Sequence, residues 1–358
     1  MHLEGGSMPR DYLRHQFRKG MLLLGGGLLL GFLFLLALSL GAVSIPPGEV
    51  LRTLLGEHVS PRWDMIVLQI RLPHALAAVV AGWALSSAGV VMQSVLRNPL
   101  ASPFTLGIAS AGAFGAAFSV ILLGTGVMRS RMADAVQISS PLETTGVAFL
   151  FCLLASGIVL LISRMRTASP EAMILAGVAL NSLFSAGTMF LQYFATDVQL
   201  AAVVFWSFGD VGRAGWRELW VMALVVGGAS LFFFRNVWNY NAMDSGDETA
   251  LGLGVPVARL RMWSLGVASL LTAVVVAFLG VIGFVGLVAP HMTRRILGDD
   301  HRFLLPGAAF VGACLLLAAD TTARLILAPH VLPVAILTAF LGAPVFLWLL
   351  CRRSKKTC

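Results

Sequence analysis

The chain has 358 residues, of which 58% are hydrophobic and 12% charged, and its mean hydropathy is +0.87. Soluble domains carry about 25% charged residues, so this composition excludes an ordinary globular enzyme and indicates a membrane protein. The formal net charge of +8 does not point to nucleic acid, because the basic residues sit at the chain ends and in short hydrophilic gaps.

Met1 to Ser7, ahead of a second Met8, read as a leader outside the fold. The first apolar run, Met21 to Val43, holds no charge over 23 residues, and about 20 suffice to cross the hydrocarbon core. It is too long for a cleavable signal and lacks a small-residue cleavage pattern. Ten spans follow from hydropathy: 22–43, 74–96, 102–123, 144–164, 171–195, 216–235, 259–280, 283–297, 303–327 and 334–351. Spans three and eight are punctuated by Pro and Gly, which is tolerated where a broken helix is buried in protein or lines a cavity. In span three Ala109, Ala113 and Ala117 recur at every fourth residue, a stripe for close helix packing. Trp206, Phe208, Trp216 and Trp220 mark an outer aromatic belt.

An even number of spans puts both termini on one side. With the termini cytoplasmic, 17 of the 25 Lys and Arg residues fall on the cytoplasmic side and eight on the other, as the positive-inside rule requires. Residues 1–20 are then the leader and a cytoplasmic N-terminus, 21–351 a single transmembrane domain, and 352–358 a cytoplasmic basic tail. Cys152, Cys314, Cys351 and Cys358 have no metal-like spacing and read as small apolar residues.

Between spans six and seven, the segment Tyr240 to Val255 carries Asp244, Asp247 and Glu248 with apolar residues at helical spacing. Gly246 and Gly254 would end or bend short helices. Either two short helices lie along the membrane surface and dock a partner, or the segment is a solvated loop. No Gly-rich stretch leads into Lys-Ser/Thr, so a phosphate-cradling loop is absent; any ATP hydrolysis belongs to another chain. His-Glu-x-x-His and Gly-x-Ser-x-Gly are also missing, which removes the usual residues of intramembrane hydrolysis. His291 has no second ligand at metal spacing, and Asp299, Asp300 and His301 read as a solvated cap rather than a metal site.

Four segments carry a family resemblance: Arg71-Leu72-Pro73-His74; Arg97-Asn98-Pro99-Leu100-Ala101-Ser102-Pro103; the segment Asn241 to Val255; and Gly283-Phe284-Val285-Gly286-Leu287-Val288-Ala289-Pro290-His291 through Asp320, Arg324 and Pro344. In this order and register the chain resembles the FecCD, or vitamin B12-type, permeases of binding-protein-dependent ABC importers for iron siderophores, haem and cobalamin. The resemblance implies an all-α polytopic membrane protein, about ten transmembrane helices per subunit, with the type II ABC importer permease fold. It also implies a homodimer in a bacterial or archaeal cytoplasmic membrane, two ATPase subunits inside and one substrate-binding protein outside. No cofactor is bound by this chain; ATP and Mg belong to the partner ATPase.

Site residues carried over by the resemblance fall into three sets. Asn241, Met243, Gly246, Asp247, Glu248, Ala250, Leu253 and Gly254 would couple to the ATPase. Arg71 and Arg324 would dock the binding protein, joined by His74, which stands where the family has a second arginine. Val331 likewise replaces the usual acid before Leu332-Pro333, so a three-arginine clamp is not expected, since imidazole is mostly neutral near pH 7. Asn98 and Leu100 match a short loop that narrows the path, although Asn98-Pro99 also reads as a helix-breaking turn.

Ser169 is an N-cap for span five, with Pro170 and Glu171 in the first turn, and the resemblance places this end of the span near the gate of the path. Asn181, Ser185 and Gln192, with Thr188, edge a polar path or bond to neighbouring helices. Asp320 and Arg324, four apart and acid first, form a helical ion pair. The reading is therefore a permease importing a metal chelate, ferric siderophore before haem or cobalamin. The alternative is a stand-alone secondary transporter or channel, which would need ion-handling acids in several spans.

Overall fold

The computed structural model describes residues 10–57, 60–128, 136–138, 141–164, 169–327 and 330–353. The whole expected leader, Met1 to Ser7, the last five residues of the basic tail, and Arg129, Arg131 and Arg166 lie outside the described residues. The helices are α1 (Arg10–Ser39), α2 (Pro47–Leu54), α3 (Pro61–Asp64), α4 (Leu72–Val95), α5 (Ile108–Leu122), α6 (Pro141–Ser163), α7 (Pro170–Tyr193) and α8 (Asp197–Ser207). They continue as α9 (Trp216–Arg235), α10 (Val237–Asp244), α11 (Asp247–Gly252), α12 (Val257–Leu279), α13 (Val285–Leu297), α14 (His301–Ile326) and α15 (Val334–Arg353). A π-helical stretch, Met65–Arg71, joins α3 to α4. Two three-residue strands, β1 (Gly126–Met128) and β2 (Val136–Ile138), pair antiparallel.

Each of the ten expected spans coincides with one helix: α1, α4, α5, α6, α7, α9, α12, α13, α14 and α15. Among the described residues, seven helical stretches are long and apolar enough to cross a membrane, including the continuous Pro61–Val95. Span three starts later than expected, because residues 99–107 form turns and α5 begins only after Gly107, held at φ +75°. Helices α5 and α13, with 15 and 13 residues, are shorter than the about 20 needed to cross alone. Their broken ends are tolerable because they are enclosed by neighbouring helices. Trp206 is buried rather than in an outer belt, whereas Trp220 is exposed as expected.

Helix α4 is the centre of the bundle. Of its most apolar window 78% is buried, against 11% for α1. It packs on α14, α12, α13 and α9, and glycine makes two of those contacts close. A Cβ on Gly89 would fall onto the Gly286 carbonyl of α13, and one on Gly82 would meet the Gly312 carbonyl of α14. Ser86, between them, donates to the Gly82 carbonyl at 2.7 Å and so spends its hydroxyl inside its own helix. In lipid there is no hydrophobic force between helices, so contact of this kind is what holds them together. A second layer, α5 with α6 and α7, repeats the device: Gly115 lies against the Ala148 backbone and Gly177 against Thr105 and Leu106.

Gly89→Ala should therefore separate α4 from α13 and cost about 3 kcal/mol or more, the upper end for overpacking. Gly227→Ala in α9, where a Cβ meets nothing within 4 Å, should be neutral or gain up to about 1 kcal/mol. Thermal unfolding of the detergent-purified variants separates the two outcomes.

Candidate functional site

At one end of the bundle, the segment after α9 folds into the two short helices α10 and α11, not into a loop. Gly246 at φ +118° and Gly254 at φ +83° make the corners before and after α11. Helix α10 buries Tyr240 and Met243 completely, and α11 buries Ala250. Facing outward are Glu248, Leu251 at 59% and Leu253 at 69% exposure. Leu251 was not singled out by the sequence reading, because spacing alone does not tell which apolar positions the corner leaves outside.

Polar side chains fasten this segment to the ends of three long helices. The Asp244 carboxylate accepts from the Ser94 hydroxyl of α4 at 2.7 Å and from His301 Nε2 of α14 at 2.9 Å. Asn241 donates to Asp300 at 3.0 Å while its own oxygen accepts the His301 backbone N–H at 2.8 Å. Arg261 of α12 donates to both oxygens of Asp247, at 2.7 and 2.9 Å, and its Nε reaches the Val95 carbonyl at 2.7 Å. Tyr240 bonds Ser264 at 2.9 Å, and burial pushes its phenol above the usual range. Burial raises the Asp244 carboxyl, but His301 and Ser94 outweigh it and hold the acid below its ordinary value.

His301 corrects the sequence reading. It is fully buried, not part of a solvated cap, and its Nε2–H is the donor to Asp244. Asp300 is the true N-cap of α14, accepting the Arg302 backbone N–H at 3.0 Å. Burial opposes its ionisation, but the bonds from Arg302 and Asn241 bring its pKa down to about 2. Only Asp299 is solvated, paired to Arg294 at 2.9 Å with 77% of its side chain exposed.

Beside this end lies the 97–103 turn. Arg97 holds φ +47°, the Asn98 side chain accepts the Leu100 N–H at 2.8 Å, and Leu100 is 46% exposed. His291 of α13 donates to the Pro99 carbonyl at 2.8 Å. Ser169 caps α7 by accepting the Ala172 N–H at 3.3 Å. Along α7, Met173, Gly177, Leu180, Phe184 and Leu191 form the packed face. Asn181, Ser185 and Gln192 flank it, half-buried, while Ser182 stands on the open face with Leu175, Val178, Ala186 and Met189. Ser182 was missed, since hydropathy does not say which side of α7 meets α5.

The opposite end gathers the other predicted residues. Asp320 accepts from His74 Nε2 at 2.9 Å and from Arg324 Nε at 3.1 Å, so one buried carboxylate serves both. Arg71 stands apart from this acid. It is buried, and its guanidinium donates to the carbonyls of Leu38 at 2.7 Å, Ser39 at 3.0 Å and Val43. A cation there meets the negative end of the α1 dipole. Val331 is exposed, and the Leu332 N–H bonds the Ala323 carbonyl at 3.3 Å. No three His, Cys, Asp or Glu residues gather as a metal site among the described residues.

The sequence matches the model of the FecCD transport family over residues 29–352. A candidate ABC transporter permease protein of Methanocaldococcus jannaschii is 48% identical over 352 residues, 98% of this chain and 99% of that protein. The hemin transport system permease protein of Yersinia pestis is 40% identical over 332 residues, 92% of this chain and 97% of that one. Among solved structures, an inward-facing conformation of a candidate metal-chelate type ABC transporter is similar at TM-score 0.80 and 30% identity, covering 93% of this chain and 99% of that one.

The Asp300 cap has a pH signature. Its carboxyl is lowered from 3.8 to about 2 on folding, so its stabilisation is complete above about pH 4 and disappears as pH falls toward 2. The unfolding-temperature difference between the natural chain and Asp300→Asn should be constant from about pH 7 to 4 and shrink below that.

Proposed function

The chain belongs to the FecCD transport family, and from that premise we propose that it is the membrane-embedded permease of an ATP-driven importer for a metal chelate. The observation that carries this reading is the pair α10–α11. Two exposed leucines stand on a segment whose polar groups are bolted to α4, α12 and α14. A surface built this way transmits force rather than absorbing it: a partner pushing on α11 moves three helix ends together. An ATPase dimer that closes on ATP supplies such a push, and differential binding in its two states is what shifts a two-state transporter. ATP and Mg then stay on the ATPase, and this chain binds no cofactor.

Two copies of the chain form the path, with α7 bordering it through Asn181, Ser185 and Gln192, and with Asn98, Leu100 and Ser169 at its narrow end. Two ATPase subunits sit on α10–α11 in the cytoplasm, where both termini also lie. One binding protein docks outside, in a bacterial or archaeal cytoplasmic membrane. Arg324 and His74 form the docking face. Arg71, spent on three carbonyls, supports that face by fixing the end of α1. The cargo is a ferric siderophore, with haem or cobalamin as the related chelates; the hemin permease relative is in keeping with a bulky iron chelate. A stand-alone secondary transporter needs a free acid at membrane depth, whereas Asp320 is held by two partners.

Vesicles carrying the chain with its ATPase and binding protein test this reading. Labelled ferric siderophore, haem or cobalamin should accumulate only with ATP, and accumulation without ATP or driven by an ion gradient overturns it. Arg324→Glu should lower uptake about tenfold or more while the ATPase still co-purifies, as loss of a charged interface contact does. Leu251→Asp with Leu253→Asp should release the ATPase instead.

A further inference from the structure

The two non-glycine residues with left-handed backbone among the described residues are Arg97, at φ +47°, and Phe284, at φ +65°. Bulky residues stay in this region only where their surroundings over-determine it. One stands where the 97–103 turn leaves α4, and the other where α13 begins. These two pieces touch each other twice. A Cβ on Gly286 would lie 3.2 Å from Pro103 Cδ, and five residues along α13 the His291 ring reaches the Pro99 carbonyl at 2.8 Å. A carbonyl only accepts, so His291 Nε2 carries the hydrogen. The ring also lies 5.5 Å from Phe346 of α15, centroid to centroid, which sets its plane.

Inside the turn, the Asn98 side chain accepts the Leu100 N–H at 2.8 Å, the Asn98 carbonyl accepts Ala101 N–H at 3.0 Å, and Asn98 N–H bonds the Gln93 carbonyl at 3.1 Å. The turn is thus a small rigid body that one external bond can carry. At its other end α13 stops at Gly298, φ +81°, where Arg294 pairs with Asp299; the next residue, Asp300, is held by Asn241 of α10.

We infer that His291 is a positioning residue that latches the 97–103 turn to α13, so that movement of α10 reaches Leu100 through α13. The inference rests on the importer reading for its consequence, but the latch is a property of this chain alone. Without the bond, α13 moves and the turn does not follow, and ATP hydrolysis loses its grip on the narrow end of the path.

The experiment compares His291→Leu, which removes the donor, with His291→Gln, whose amide N–H reaches a similar point, in the assembled transporter with its ATPase and binding protein in lipid nanodiscs and vesicles. Amide hydrogen exchange is read at Leu100 and Ala101, and ATP hydrolysed per molecule taken up is read with haem, cobalamin and a ferric hydroxamate. Exchange in His291→Leu should rise about tenfold, the effect of one lost hydrogen bond, with a comparable rise in ATP per chelate, and His291→Gln should restore both. If His291→Leu does not assemble, His291→Asn, too short to reach Pro99, supplies the same contrast with His291→Gln. Unchanged exchange without the donor overturns the latch, and so does faster exchange with unchanged ATP per chelate. Should the natural complex take up none of the three probes, the importer reading fails, while the exchange contrast still decides the latch.

Discussion

The close approach of α4 to α13 and α14 is the constraint on which the rest depends. In hydrocarbon, neighbouring helices gain little from burying apolar surface, because lipid tails are equally apolar. Attraction must come from backbones brought near enough for dense van der Waals contact, and Gly82, Gly89, Gly286 and Gly312 provide that distance. With α4 fixed in this way, its two ends are fixed too. One end presents Arg71 and His74 to α1 and α14, and the other presents Ser94 and Val95 to α10 and α12. Both polar ends of the molecule are therefore hung from a single helix.

Buried charge follows the same logic of internal satisfaction. An unpaired ion in a bundle of this kind is costly, and at Asp320 one buried acid is met by both the Arg324 guanidinium and the His74 imidazole. Arg71 pairs with no carboxylate among the described residues and is satisfied instead by carbonyls that the end of α1 leaves without helical partners. At the other end, Asp244 and Asp300 stay ionised because hydrogen bonds to the charged form exceed the cost of burial. The same bonds make the α10–α11 surface stiff, so its energetics and its mechanics have one origin.

Much of this was legible in the sequence. The ten spans emerged from runs of apolar residues, since lipid imposes a length that hydropathy can read, whereas Gly246 and Gly254 left α10–α11 open between two short helices and a loop, and the family resemblance favoured the helices. The Asp320–Arg324 pair followed from a spacing of four. What escaped was long-range in sequence. His301 looked solvated because two aspartates precede it, and nothing local says that Asp244, 57 residues earlier, would cover it. Arg71 was assigned to docking by the family resemblance alone; its partners lie 28 to 33 residues away on carbonyls that carry no side-chain signal. The open face of α7 was invisible for a similar reason: Asn181, Ser182 and Ser185 lie within one arc of that helix, and only its contact with α5 shows that Asn181 and Ser185 border the packed face while Ser182 stands open.

The thin burial of α1 has a consequence for synthesis. Only 11% of the residues in its apolar window are fully buried within the subunit, against 78% for α4, so α1 needs less of the rest of the chain to complete its surroundings when it leaves the ribosome and enters lipid. It can wait there without a partner, unlike α5 or α13, which are too short to reside in a bilayer alone. Arg71 arrives afterwards, within the next spanning segment, and locks the waiting helix by its last carbonyls. The order of the genetic message thus puts the self-sufficient helix first and its fastener second.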